Sequence, residues 1–273
     1  MLFVQLHRRA MAVLFCVLCV CVLCALPVSA AMAQPMAVNT EPVPLYGYRI
    51  VESLPHNNRY FTQGLLIHDG ELYEGTGRHG ESALLHLNKA DGSVIKSRSL
   101  ASRYFGEGIA IANNRIFQLT WRENMVFVYD LDTFEPQTSH YWPREGWGLT
   151  YDGEQLILSD GSDQLYFIDP ETFQSVRQVP VRIQGRPVHQ LNELEYIDGE
   201  VWANVWMSQQ IVRINPQTGQ VTGVVDLTGL VNQTQTGGSE AVLNGIAWNP
   251  DTRQLYVTGK LWSHIFQIEL VEP

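Results

Sequence analysis

Gln63-Gly64-Leu65-Leu66-Ile67, Glu107-Gly108-Ile109-Ala110-Ile111, Trp147-Gly148-Leu149-Thr150-Tyr151, Asn192-Glu193-Leu194-Glu195-Tyr196 and Asn244-Gly245-Ile246-Ala247-Trp248 are five versions of one strand. Their second positions lie 44, 40, 45 and 52 residues apart. Each is followed by a turn, such as Asp69-Gly70, Asn113-Asn114 or Asp198-Gly199, and then by a second strand that starts at Leu72, Ile116, Leu156, Val201 or Leu255. A third strand is clearest over 125–130, 164–169, 210–215 and 264–270, and a fourth over 93–100, 174–181 and 220–227. Four antiparallel strands repeated at this period predict an all-β fold, a five-bladed β-propeller of four-stranded blades. The fifth unit stops after its third strand, so residues 46–54 are expected to supply its outer strand and close the ring from the N-terminus. An open β-sandwich does not explain a fivefold period.

The residues before the repeats are of a different kind. His7, Arg8 and Arg9 precede sixteen uninterrupted apolar residues, 11–26, and small-residue A-x-A-like sequences follow at 28–33. That order predicts a secretory signal peptide over 1–33, a linker over 34–45 and one domain over 46–273. The apolar run is shorter than the roughly 20 residues that span a bilayer, so a periplasmic or secreted protein is expected, with no membrane contact after cleavage. All four cysteines, Cys16, Cys19, Cys21 and Cys24, lie in that run. The mature chain therefore has no disulfide, thiolate nucleophile or zinc-thiolate site. The formal charge of −10 becomes −12 without the leader, with 16 basic against 28 acidic residues. Phosphate backbones are repelled by such a surface, which argues against nucleic acid. Peptides or exported proteins are the expected partners, met by a monomer.

In a fold of this kind equivalent repeat positions surround one axis. The first positions are Gln63, Glu107, Trp147, Asn192 and Asn244, four of them polar where packing alone favours a single apolar type. A second ring, at the ends of the second strands, holds Gly77, Trp121, Gly161, Trp206 and Lys260. Singly, a tryptophan is usually packing, an asparagine a turn residue and a lysine a solvated charge. Converging on one mouth, they form an aromatic-walled pocket with a few polar groups, the usual form of a small-ligand site. Glu107 stands out because Gly106 and Gly108 flank it and let backbone approach closely.

These segments, with Phe61-Thr62-Gln63-Gly64-Leu65, Tyr73-Glu74-Gly75-Thr76-Gly77, Phe105-Gly106-Glu107-Gly108, Leu119-Thr120-Trp121 and Glu145-Gly146-Trp147-Gly148-Leu149, resemble the plant and bacterial type of glutaminyl-peptide cyclotransferase. The similarity runs from about Tyr46 to Leu270. It implies Glu107 as the catalytic carboxylate and a substrate pocket of Phe61, Gln63, Trp121, Trp147, Asn192, Trp206 and Lys260. It also implies a substrate with an N-terminal glutamine, and no cofactor. No H-E-x-x-H or paired-histidine spacing occurs among the eight histidines, so no metal site is expected. The implied chemistry suits these residues: a carboxylate shuttling a proton from the α-amine to the leaving group, with Gln63, Asn192 or Lys260 as hydrogen-bond donors. The alternatives are a non-catalytic peptide- or sugar-binding propeller and a metal-dependent lactonase-like hydrolase. Calcium needs six to eight oxygen ligands, and the first ring offers one carboxylate.

Overall fold

The computed structural model describes residues 42–234 and 237–272. The expected signal peptide and the linker up to residue 41 lie outside the described residues. From Leu45 onward strand is the main regular structure of the described residues, and the inner strands are buried at nearly every position, polar side chains included.

Three repeats form separate antiparallel four-stranded sheets in chain order. The first holds β1's successors β2 (Thr62–His68), β3 (Glu71–Thr76), β4 (Ala83–Leu87) and β5 (Val94–Ser99), where β1 is Leu45–Pro55. The second holds β6 (Gly106–Ala112), β7 (Arg115–Thr120), β8 (Met125–Asp130) and β9 (Pro136–Tyr141). The third holds β10 (Leu149–Tyr151), β11 (Leu156–Ser159), β12 (Gln164–Ile168) and β13 (Ser175–Pro180), followed by a two-stranded ribbon of β14 (Arg182–Ile183) and β15 (Arg186–Pro187).

The last two repeats depart from the expected architecture. Strands β16 (Leu191–Ile197), β17 (Glu200–Val205), β18 (Gln210–Ile214) and β19 (Val221–Asp226) are continuous, through β1, with β22 (His264–Val271), β21 (Gln254–Gly259) and β20 (Leu243–Asn249). The result is one eight-stranded mixed sheet, so the expected propeller of five four-stranded antiparallel blades is corrected. The cause is the length of β1. Leu45 and Tyr46 pair in parallel with Val224 and Val225 of β19, whereas Gly47 to Pro55 pair antiparallel with β22, through a bulge between Ile50 and Glu52. One strand thus serves two edges, and the all-β class stands while the separation into five blades does not.

The core lies between successive repeats. Leu66, Tyr73 and Leu84 pack on Ile109, Ile116 and Tyr129; Phe117 and Val128 pack on Leu158 and Ile168. Phe167 faces Val201 and Val212, Trp202 and Val225 face Val257 and Phe266, and Tyr256 and Ile265 return to Leu65 and Leu85. Three of the hairpins that join inner to second strands are two-residue loops with both φ angles positive: Asp69-Gly70, Asn113-Asn114 and Asp198-Gly199. That backbone matches the strand twist and selects Asn, Asp and Gly.

Four inner strands carry an interrupted ladder at the same place. The register shifts between Thr62 and Gly64, Gly106 and Ile109, Leu191 and Leu194, and Leu243 and Ile246. A bulge there re-aims the side chain it carries. Gln63, Glu107, Asn192 and Asn244 all fall inside these shifts.

Candidate active site

Four inner strands present Gln63, Glu107, Asn192 and Asn244 at their bulges, Trp147 precedes the inner strand of the third repeat, and backbone packing fixes how closely the repeats meet. A Cβ on Gly108 would lie 2.7 Å from the Leu149 nitrogen and from the Trp147 carbonyl oxygen, so only glycine lets the second and third repeats approach this closely. The Gly108 N–H uses that proximity to bond the Trp147 carbonyl at 2.8 Å.

A cavity of about 420 Å³ is lined by all eight residues singled out from the sequence: Phe61, Gln63, Glu107, Trp121, Trp147, Asn192, Trp206 and Lys260. Its size is that of a small-ligand pocket. Glu107 is 4% exposed and accepts a hydrogen bond from Gln63 Nε2 at 3.0 Å. Burial pushes its carboxyl well above the ordinary carboxylate range; the Lys260 charge pulls the other way, while Glu145 and Glu123 add to the rise. Lys260 is itself buried, which lowers its ammonium to about 8 against the opposing pull of Glu107 and Glu240. Its Nζ stands 4.7 Å from the centre of the Phe61 ring. The floor is therefore a carboxyl and an amine whose ionisations are drawn towards each other by burial.

Gln63 is oriented from both sides. Asn244 Nδ2 donates to Gln63 Oε1 at 3.2 Å and to the Thr62 carbonyl at 3.0 Å, which leaves the Gln63 amide nitrogen to face Glu107. Asn244 is fully buried and holds Gln63 rather than lining the cavity. Thr62 is anchored in turn: its hydroxyl donates to Glu74 at 2.8 Å, and the other Glu74 oxygen meets His56 Nε2 at 3.0 Å. His56 Nδ1 faces the Trp262 carbonyl at 2.8 Å. Burial alone would lower the His56 imidazolium, but the charge and hydrogen bond of Glu74 and the Trp262 carbonyl outweigh it and hold it above its usual value. Asn192 Oδ1 is buried at the cavity and has no partner within the protein.

The aromatic walls are set by one carboxylate. Glu145 Oε2 accepts from Trp121 Nε1 at 2.7 Å and from Trp147 Nε1 at 3.0 Å, while Oε1 accepts from Arg122 Nε at 2.9 Å. Burial alone would raise the Glu145 carboxyl; the hydrogen bonds from Trp147, Arg122 and Trp121 leave it below its usual value. Trp206 stands edge-on to Trp147, with centroids 5.5 Å apart, and Phe105 bridges Phe61 and Trp121. The two glycines of the second ring have a complementary role. Gly77 lies under the Phe105 ring, and a Cβ on Gly161 would lie 2.7 Å from the Trp147 indole. A small residue occurs wherever a neighbouring ring needs the space.

Sequence reasoning missed Arg78, Phe105, Met207, Ser239, Glu240 and Val242 on the lining, and Glu145 behind it. Arg78 and Met207 directly follow ring positions Gly77 and Trp206. Ser239, Glu240 and Val242 come from the loop that stretches the last repeat spacing to 52 residues, and that excess length was the available signal.

The glutamine cyclotransferase family model matches residues 19–270. The chain is 42% identical over 227 residues to the glutaminyl-peptide cyclotransferase of Arabidopsis thaliana, covering 81% of this chain and 70% of that one. The crystal structure of Myxococcus xanthus glutaminyl cyclase superposes with a TM-score of 0.81 at 36% identity, over 85% of this chain and 100% of the other. With a buried carboxyl, an amine and indole walls gathered in one cavity, and with likeness of this extent in sequence and in structure, the chain belongs to the glutamine cyclotransferase family of enzymes.

Proposed function

We propose that the cavity binds the N-terminal glutamine of a peptide or protein and closes it to pyroglutamate with release of ammonia, Glu107 carrying the proton. The α-amine nitrogen attacks the side-chain carboxamide carbon, forming the ring bond. The carbon–nitrogen bond to the amide then breaks, and one proton passes from the attacking to the departing nitrogen. An α-amine with a pKa near 7.7–8.0 is already partly neutral at physiological pH. A carboxyl raised by burial is well matched to take that proton and return it. Lys260 supplies positive charge for the developing oxyanion, and the unpartnered Asn192 Oδ1 suits an N–H of the substrate. The indoles of Trp121 and Trp147 enclose the apolar part of the glutamine chain, and Trp206, edge-on to Trp147, bounds the substrate pocket at its mouth.

The observation that carries this reading is the Glu107 carboxyl itself, buried in the cavity, hydrogen-bonded by Gln63 and electrostatically coupled to Lys260. Ammonia release from a glutaminyl dipeptide tests it. Glu107→Gln keeps the shape and the hydrogen-bonding capacity but removes the exchangeable proton, so turnover falls by about 10²- to 10⁴-fold in a mutant with native circular dichroism. Near-normal turnover would overturn the shuttle. Metal-independent turnover belongs to the same proposal: among the described residues no three His, Cys, Asp or Glu side chains cluster as ligands. Activity is then expected to survive exhaustive chelation. Residues 1–33, with their basic, apolar and small-residue order, support export to the periplasm or outside the cell; N-terminal sequencing of the mature protein checks it.

A further inference from the structure

The opening of the cavity is built differently from its floor. Trp206 and Met207 are 36% and 62% exposed, two large apolar side chains side by side at the solvent boundary of the lining. Met207 has a φ of 65°, in the left-handed region where glycine or asparagine is easier to accommodate. An apolar, bulky residue at an exposed left-handed position serves neither the backbone nor the core. Farther along the opening Arg78 lies over Phe61 and pairs with Glu240 at 2.7 Å. These two charges are matched to each other.

The reaction fixes what must lie at this opening. The five atoms of the new ring, the α-nitrogen, Cα, Cβ, Cγ and the carboxamide carbon, come together near Glu107, so the α-carbonyl is the exit from the buried floor. The Cα of the next residue is then only about 3.8 Å from that of the glutamine. Its side chain has to occupy the mouth.

We propose that Trp206 and Met207 form a subsite for the side chain of the residue that follows the N-terminal glutamine, selecting an apolar or aromatic one; this rests on the proposed cyclisation. The indole supplies a rigid face and the thioether an adaptable one. Apolar surface on the substrate covers apolar surface that is otherwise exposed. A charged second residue gains no free partner, because Arg78 and Glu240 already satisfy each other.

The test compares Gln-Phe, Gln-Leu, Gln-Gly and Gln-Glu amides in two readouts, ammonia release and quenching of tryptophan fluorescence. Wild type is expected to favour Gln-Phe and Gln-Leu over Gln-Gly by about tenfold in kcat/KM, mostly through KM. Met207→Ser should shrink that ratio several-fold, and Met207→Leu should restore it. Tyr141→Ser, at an exposed aromatic of β9 that does not line the cavity, leaves the ratio as it was. Equal binding and turnover for all four peptides, or a ratio indifferent to Met207→Ser, would overturn the subsite while leaving cyclisation intact. Selective binding of the apolar peptides without ammonia release would keep the subsite and overturn the proposed reaction.

Discussion

At the scale of single residues, Glu145 is as informative as the residues that touch the cavity. It accepts hydrogen bonds from the indoles of two walls and from Arg122, so it fixes ring positions without lining the cavity itself. Glu145→Ala leaves two part-buried indole N–H groups without their acceptor, a loss of up to roughly 1–3 kcal/mol for each, while the exposed Arg122 guanidinium turns to water. The expected outcome is a KM for glutaminyl peptides raised about tenfold or more with a smaller change in kcat, partly rescued by Glu145→Gln, whose amide oxygen still accepts. A variant that lost kcat with KM unchanged would instead place Glu145 in the chemistry. The repeat made Gln63, Glu107, Asn192 and the three tryptophans legible, because they fall at two equivalent positions, one polar in four units of five and one divided among glycine, tryptophan and lysine, where packing alone favours a single residue type. Glu145 was not legible, since it sits just before the repeat, where its neighbours in sequence give no hint of the indoles it receives. Arg78 and Met207 escaped for a similar reason: their positions follow the second ring, and exposure at an opening leaves no trace in hydrophobic patterning.

At the scale of elements, the sequence revealed each strand run by its alternation and turns, but not how far the first would reach. The fifth repeat lacks an outer strand of its own, and β1 lies against β22 over residues 47–55. What pattern could not disclose is the parallel pair with β19, made by Leu45 and Tyr46, because a two-residue contact has no period of its own. This pair fuses two repeats into one sheet and makes β1 a tie between chain regions distant in sequence. Tyr46, Tyr48 and Ile50 also pack on the core shared by the last two repeats, while Leu54 joins the core shared by the fifth and first. Deleting residues 46–54 therefore removes apolar cover from two cores and leaves β19 and β22 with unpaired edges, which template aggregation. We expect the truncated chain to melt at lower temperature and to scatter light on mild heating. A truncation with the parent's melting curve and solubility would show that β1 is an ornament of the sheet rather than a tie.

At the scale of the whole molecule, several ionisable groups are buried on or beside the inner strands, His56, Glu107, Glu193, Glu195 and Lys260 among them, and together they set how stability responds to pH. Glu193 occupies the repeat position where the other four units have glycine, and it accepts N–H groups of Leu65 at 3.2 Å and Ile246 at 2.8 Å, joining the first, fourth and fifth repeats. Glu195 accepts the Trp248 N–H at 2.9 Å. Burial raises Glu195 to about 8 and lifts Glu193 and Glu107 well above the usual carboxylate range. In each case the folded state keeps a proton that the unfolded chain has lost, so stability is greatest below about pH 4.5 for these groups and declines as pH rises towards each folded value, about 8 for Glu195. His56, also raised, acts in the same direction: its contribution is complete below about 6.5 and is lost as pH rises through the folded value. Glu145, lowered, works oppositely and loses its contribution only at acid pH. Lys260, lowered to about 8, is easier to bury once neutral, so it returns some stability between about 8 and 10.5. Each group contributes up to about 1.4 kcal/mol per pH unit inside its own window. The sum predicts a melting temperature that is highest near pH 5, falls towards pH 8 and then levels as Lys260 discharges. Calorimetry at unit pH steps from 5 to 9 measures this. Glu195→Gln should flatten the decline, because the amide keeps an acceptor for the Trp248 N–H but has no proton to lose. A melting temperature that is flat or rising from pH 5 to 8 would mean that these carboxyls ionise in the folded protein much as they do in the unfolded chain, and the buried proton proposed for Glu107 would lose its physical basis.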